Sequence, residues 1–260
     1  MLSSAKSVSA AIGVPALIIV LSHVKSWPLS YTLRSWWLLR SLVKEANERG
    51  LEPEVLFTVV SQKHRCLYDD IDYNQHMVLN IESYEGQQQG LLMFGYRNST
   101  FNKILDFGRI QLLYSIMPRI MMEPHHHIFC HNAGVMTLFK NEIRPWTQYT
   151  MQTRVWTWNE KWLWIQHRFL LPDGEVACLA VSKLVFKLIT GKTVPPVQVF
   201  ELCGHDVTDP IAEKRRHHNW QAAAGLLEAD KALREDPFSW DDYGPSVTKD
   251  GPFVTKASKL

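Results

Sequence analysis

Residues 70–76 read DIDYNQH, and Asp72, Asn74 and His76 alternate within them. On an extended segment, side chains two positions apart share one side. A carboxylate placed there can act as a base or as a nucleophile on an activated acyl group. An amide and an imidazole beside it can orient the substrate or a water. A helical pattern follows downstream, and the first turn of a helix leaves backbone N–H groups free to stabilise an oxyanion. Acid-rich segments before helices also serve as caps and solvated turns. The residue types alone therefore leave a structural reading open beside the chemical one.

The remaining candidates are weaker. His125, His126 and His127, with His131, could approach a metal. No carboxylate or thiolate stands at a suitable spacing, so no metal site is expected. Cys66, Cys130, Cys178 and Cys203 are scattered without a CxxC pair. That argues against zinc and against a disulfide framework, and suits a reducing compartment. Cys66 or Cys130 would be a nucleophile only with a positioned base, which the sequence does not show. GxSxG, Walker, GxGxxG and HExxH patterns are absent, which removes common hydrolase and nucleotide signatures, and no cofactor is expected. A net charge of +2 gives no argument for a nucleic-acid partner.

The elements that would position these residues can be read from periodicity. Phe101, Ile104, Leu105, Gly108, Leu112, Ile116 and Met117 recur at three- and four-residue steps. They predict a helix over residues 99–117, capped by Asn98 or Ser99. Gly108 costs such a helix about 1 kcal/mol against alanine, which points to close backbone approach by a neighbour. Upstream, residues 55–67 read as a strand. From His127 onward the period becomes two, in IFCHNAGVMTLFK, WTQYTMQTRVWTW, KWLWIQHRFLL and EVACLAVSKLVFKL. These are four strands, with turns at Asn159-Glu160 and Pro172-Asp173-Gly174. Trp156, Trp158, Trp162 and Trp164 flank one turn and are expected to face each other across the hairpin. Residues 28–47 form an amphipathic helix, and residues 211–235 a charged helix with Leu226, Leu227 and Leu233 as its apolar contacts. One long helix beside an antiparallel sheet of five or more strands is an α+β arrangement, with the sheet wrapped round the helix.

The run YDDIDYNQHM, continued by NSTFNKILDFGRI, resembles the hotdog-fold thioesterases of the 4-hydroxybenzoyl-CoA thioesterase-like group, in particular their fungal-type relatives. The D-x-N-Q-H stretch is also similar to the catalytic segment of plant acyl-ACP thioesterases. The resemblance covers roughly residues 55–188. It implies a thioester hydrolase that cleaves acyl-CoA to the free acid and CoA. Asp72 takes the place of the catalytic carboxylate, as general base or nucleophile, and Asn74 and His76 match the accompanying amide and imidazole. Asp70 matches an acid that is more often structural. Asn98, Ser99 and Thr100 resemble the N-N-S/T that ordinarily follows the histidine and would bind substrate. Such folds pair through their sheets, so a homodimer or tetramer is implied.

This chain departs from the pattern in one place. Relatives read H-M-N-N-S/T, whereas here His76-Met77 is followed by residues 78–97 before Asn98-Ser99-Thr100. The segment, rich in glycine and glutamine, is either a surface loop at the mouth of the site or an intron translated in the gene model. Either way the helix start is no longer tied directly to His76. A site spoiled by the insertion would leave a non-catalytic acyl-binding or scaffold protein.

The domain plan is then N-terminal hydrophobic and amphipathic helices over 1–50, a hotdog domain over 51–205, a C-terminal helix over 206–235 and a flexible tail over 236–260. Ser258, Lys259 and Leu260 form the tripeptide read by the peroxisomal import receptor, so a peroxisomal location is expected. Residues 7–24 carry no formal charge. They sit at the lower limit of the roughly 17–25 residues that span a membrane, with Pro15 inside, and the competing expectation is a membrane anchor there. The Trp36/Trp37 helix, with its basic residues, offers a further membrane contact.

Overall fold

The computed structural model describes residues 24–67, 70–72, 95–96 and 98–235, with Leu17, Val20 and Leu21. Asn74, His76, the tail from residue 236 with Ser258, Lys259 and Leu260, and most of 78–97 lie outside the described residues.

After a 3₁₀ turn at Val24–Ser26, helix α1 (Ser30–Glu48) buries Leu42 and Ala46. Strand β1 (Val60–Arg65) follows, and is shorter than periodicity implied because residues 56–57 turn. Two short strands, β2 (Ile71–Asp72) and β3 (Gly95–Tyr96), pair antiparallel with Asp72 opposite Gly95. Helix α2 (Asn98–Ile116) starts directly after them, and the short α3 (Pro118–Met122) breaks from it at Met117. Then come β4 (Ile128–Phe139), β5 (Gln148–Trp158), β6 (Leu163–Leu170), β7 (Val176–Leu188) and β8 (Thr193–Val194). Helices α4 (Pro196–Leu202) and α5 (Pro210–Glu235) close the described chain.

The main sheet is antiparallel and six-stranded, in the order β1-β5-β6-β7-β4, with β8 added to β7. Its inner face carries α2, in the α+β wrap expected from the sequence. Two apolar clusters fill the interface. One gathers Leu112, Ile116, Trp158, Phe186 and Phe200 toward the end of α2. The other gathers Phe101, Leu105, Tyr149, Met151 and Phe169 toward its start.

The tryptophans of the β5–β6 hairpin do not face one another. Trp158 pairs with Leu163, and Trp164 with Thr157, so the two rings lie on opposite sheet faces. Trp158 packs edge-on against Phe200, with centroids 5.1 Å apart. Trp164 meets Trp220 of α5 at 5.3 Å. A bulge at Trp156 sets this register. Helix α5 thus covers the outer face, held by Asn219 Nδ2 donating to the Trp156 carbonyl at 2.8 Å. It buries Ala212 and Ala223, whereas Leu233, expected as an apolar contact, is 79% exposed.

Gly108 lies where α2 crosses β5. A Cβ there would stand 2.5 Å from both Met151 Cε and Thr153 Oγ1. The methionine can swing away, but the threonine hydroxyl is committed to His167 Nδ1 at 2.9 Å. Gly108→Ala is expected to lower stability by about 1–2 kcal/mol in urea unfolding, because overpacking outweighs the helix-propensity gain of about 1 kcal/mol. A stabilised variant would show that the sheet yields at this crossing.

Candidate active site

The β2–β3 ladder gives the sequence motif its place. Asp72 is held opposite Gly95, and Gly95 stands three positions before Asn98, the first residue of α2. The backbone thus brings Asp72 beside the helix start despite the long excursion between His76 and Asn98. Asn98 and Ser99 form the first turn, and Thr100 is buried at 6% exposure. The first N–H groups of that turn have no intrahelical acceptor, as in any helix. Asn74 and His76 lie outside the described residues.

Asp70 is structural here. It is 3% exposed, forms an ion pair with Lys25, and accepts from the Leu67 backbone N–H at 2.9 Å. Lys25 also donates to the Arg65 carbonyl at 2.7 Å. These bonds tie the N-terminal turn and the end of β1 to the residues just before Asp72.

Below the first turn, a cleft of about 490 Å³ runs between α2 and β4. Asn102, Asp106 and Arg109 line it from the helix, at i, i+4 and i+7, and Asn132, Val135, Thr137 and Phe139 from the strand. The β4 bulge between Asn132 and Gly134 falls at the same place. Asp106 is held on two sides, by an ion pair with Arg109 and by the Tyr31 hydroxyl of α1 at 3.3 Å. Sequence reading missed these cleft residues. The spacing of Asn102, Asp106 and Arg109 along one side of the helix was the available signal.

Arg109 continues inward. It is 6% exposed, and its Nη1 donates to Ser182 Oγ at 2.7 Å. Ser182 Oγ lies 3.0 Å from His167 Nε2, and His167 Nδ1 lies 2.9 Å from Thr153 Oγ1. Burial, and then the positive charge of Arg109, push the His167 imidazole down to about 3. It is therefore a neutral structural ring at physiological pH, although a buried serine beside a histidine invites a catalytic reading. Burial, with Arg34 and Lys25 nearby, also holds His64 down at about 4. The thiols of Cys130 and Cys178 are pushed up to about 12 by burial and are not nucleophiles at neutral pH.

The histidine cluster is differently built from what its spacing suggested. Glu123 supplies a carboxylate, because a 3₁₀ turn (Pro124–His126) folds the chain back on it. Ligand atoms of Glu123, His125 and His126 lie within 4.8 Å of one another, with His126 Nε2 2.9 Å from Glu123 Oε2. The group follows the far end of α2, some 27 Å along the axis from Asn98 at about 1.5 Å per residue. It is not part of the cleft.

The neutral histidines make stability depend on pH. The unfolded chain takes up protons near pH 6.5, whereas folded His64 and His167 stay neutral to about 4 and about 3. Stability is thus full above pH 6.5 and falls as pH drops, by up to about 1.4 kcal/mol per pH unit for each proton taken up only by the unfolded chain. Urea unfolding between pH 8 and 4 should show this acid limb. His167→Gln should be less stable at pH 8 but lose less on acidification.

The model of the thioesterase-like superfamily matches residues 66–202, more than half of the chain. A probable thioesterase of Saccharomyces cerevisiae is 27% identical over 186 residues, covering 71% of this chain and 76% of that protein. A probable thioesterase of Emericella nidulans is 28% identical over 182 residues, covering 55% of this chain and 54% of that protein, about half its length. Among solved structures, the probable thioesterase YbaW of Escherichia coli is similar at TM-score 0.44 and 14% identity, covering 55% of this chain and 94% of that one. A Staphylococcus aureus protein solved in complex with CoA has TM-score 0.43 and 12% identity, with 58% and 85% covered.

Proposed function

The chain belongs to the thioesterase-like superfamily, with a hotdog fold and thioester hydrolysis as its chemistry, and from that premise we propose that it cleaves acyl-CoA with Asp72 as the catalytic carboxylate. The observation that supports this most is the β2–β3 ladder, which brings the Asp72 backbone beside the start of α2. In the reaction, the Asp72 carboxylate takes a proton from a water, and the resulting hydroxide adds to the thioester carbonyl. The developing oxyanion is met by backbone N–H groups of the Asn98–Thr100 turn. Collapse breaks the C–S bond, the thiolate of CoA leaves and takes up the proton held by Asp72, and the free acid remains, with Asp72 again a carboxylate. Asn74 and His76 orient the water or the carbonyl. The cleft along Asn102 and Asp106 receives the part of the substrate beyond the reacting carbon.

Pairing of two copies through β4 belongs to the same proposal. Strand β4 ends the main sheet and has no further partner strand among the described residues. It exposes Phe129, Met136, Leu138 and Phe139, each at 39–48%. A second copy on this edge would bury those side chains and cover the cleft, since β4 is one of its walls. Light scattering on the purified chain should give a dimer or a multiple of one. Leu138→Lys with Met136→Lys should release monomers and reduce thioester cleavage with them; a wild-type monomer of full activity would remove the pairing.

The chemistry is tested by thioester cleavage over a panel of acyl-CoA chain lengths. Asp72→Asn should lower kcat by about 10²–10⁴-fold, the range for a lost general base. Equal rates in the two proteins would remove Asp72 from the mechanism. Binding of acyl-CoA without cleavage by the wild type would favour the acyl-binding scaffold.

A further inference from the structure

Helix α1 is apolar on two sides, and among the described residues only one of them packs against the rest of the fold. Its inner side meets the core through Leu42 and Ala46, with Leu38 against the cluster at the start of α2. At 100° per residue, Leu33, Trp36 and Trp37 fall on the opposite side, Arg40 and Lys44 continue the same stripe, and Leu29 is the cap residue just before the first turn. Their exposures are high: Leu29 70%, Leu33 62%, Trp36 53% and Trp37 72%. Upstream, Leu17, Val20, Leu21, Val24 and Trp27 are exposed as well, at 39–56%. Single exposed leucines are ordinary on a protein surface, but two adjacent exposed tryptophans beside an exposed leucine on one helix face mark an interaction surface.

The charge around the stripe says what it meets. Residues 1–44 contain Lys6, Lys25, Arg34, Arg40 and Lys44 and no acid; the first is Glu45. The whole chain carries +2, so positive charge is concentrated here and the remainder is net negative. The Arg40 guanidinium sits 5.5 Å from the Trp36 ring, at the boundary between the apolar and charged parts of the stripe. Lys44 has Glu48 at 3.7 Å, an exposed pair of little strength in water. A second copy on this face would set the same patch against itself and bring like cations together. A bilayer with anionic headgroups matches both halves of the stripe: tryptophan and leucine enter the interfacial layer, and arginine and lysine meet the phosphates.

We propose that α1 docks the protein on an anionic lipid surface, its axis in the plane of the membrane and Leu29, Leu33, Trp36 and Trp37 inserted at the headgroup level. This is peripheral docking by a helix that is already part of the fold. Among the described residues no helix is long and apolar enough to cross a membrane.

The test is flotation of the full chain with phosphatidylcholine vesicles, with and without phosphatidylserine. The wild type should float with the anionic vesicles, less so as salt is raised. Arg40→Gln with Lys44→Gln should weaken binding roughly 30-fold, from the loss of two cations near the surface. Trp36→Ser with Trp37→Ser should abolish flotation. Both double variants should keep the wild-type unfolding midpoint and oligomeric state. Three results would overturn the proposal. The wild type could fail to float. Both variants could bind like wild type, which would assign any binding to residues outside α1. Or the variants could unfold earlier or change oligomeric state, which would show the face covered by protein rather than lipid.

Discussion

Much of this structure depends on how one buried guanidinium is satisfied. Arg109 sits in the interface between α2 and the sheet, where an unpaired charge would cost several kcal/mol. Its two ends are used differently: Nη1 donates inward to Ser182, and Nη2 pairs outward with Asp106. Only one rotation of α2 allows both. That rotation presents Gly108 to β5, where the sheet comes too close for a Cβ, and turns Asn102 and Asp106 toward the cleft. The same charge helps keep His167 unprotonated, so the chain Arg109–Ser182–His167–Thr153 is a neutral hydrogen-bonded brace with one cation at its end. The cleft geometry is therefore fixed from inside the core.

The elements most legible in the sequence were those whose period is set by one buried face. The four strands from Ile128 to Leu188 carry a period of two over most of their length, and α2 repeats at helical steps, so both were placed to within a few residues. The glycine in α2 could be read as a site of close approach, because nothing else accounts for its cost in a long apolar helix. What failed was side-chain direction after an irregularity. The Trp156 bulge shifts the register of β5 against β6 and sends Trp158 and Trp164 to opposite faces, and no local pattern announces a bulge. Leu233 was taken for a contact because it is apolar, but α5 lies on the sheet through alanines and Trp220, whose small or flat surfaces allow close docking.

The motif was legible as residue types, and the fold explains part of what could not be. Asp70 and Asp72 look equivalent in a D-x-D, yet Asp70 is spent on Lys25 and the Leu67 amide. Its partner lies 45 residues away in sequence, which no spacing rule would find. Asp106 was passed over for the opposite reason: its spacing with Asn102 and Arg109 was a signal, but one acid on a long helix is ordinarily a solvated residue. Only the approach of β4 and of Tyr31 makes it the wall of a cleft. The Glu123 carboxylate likewise joins His125 and His126 through a turn rather than through a recognisable ligand spacing.

The pairing of Asp72 with Gly95 bears on how this family can vary. A ladder that closes both ends of an excursion makes the length between them nearly free of consequence for whatever the ends hold. By loop-closure entropy, doubling the number of residues between two fixed ends adds only about 0.6 kcal/mol. The ladder is thus a graft point, where lineages can lengthen, shorten or exchange sequence while the helix start keeps its neighbour. Diversification of such a chain would be concentrated at residues 78–94, with Asn74, His76 and the interior brace held constant.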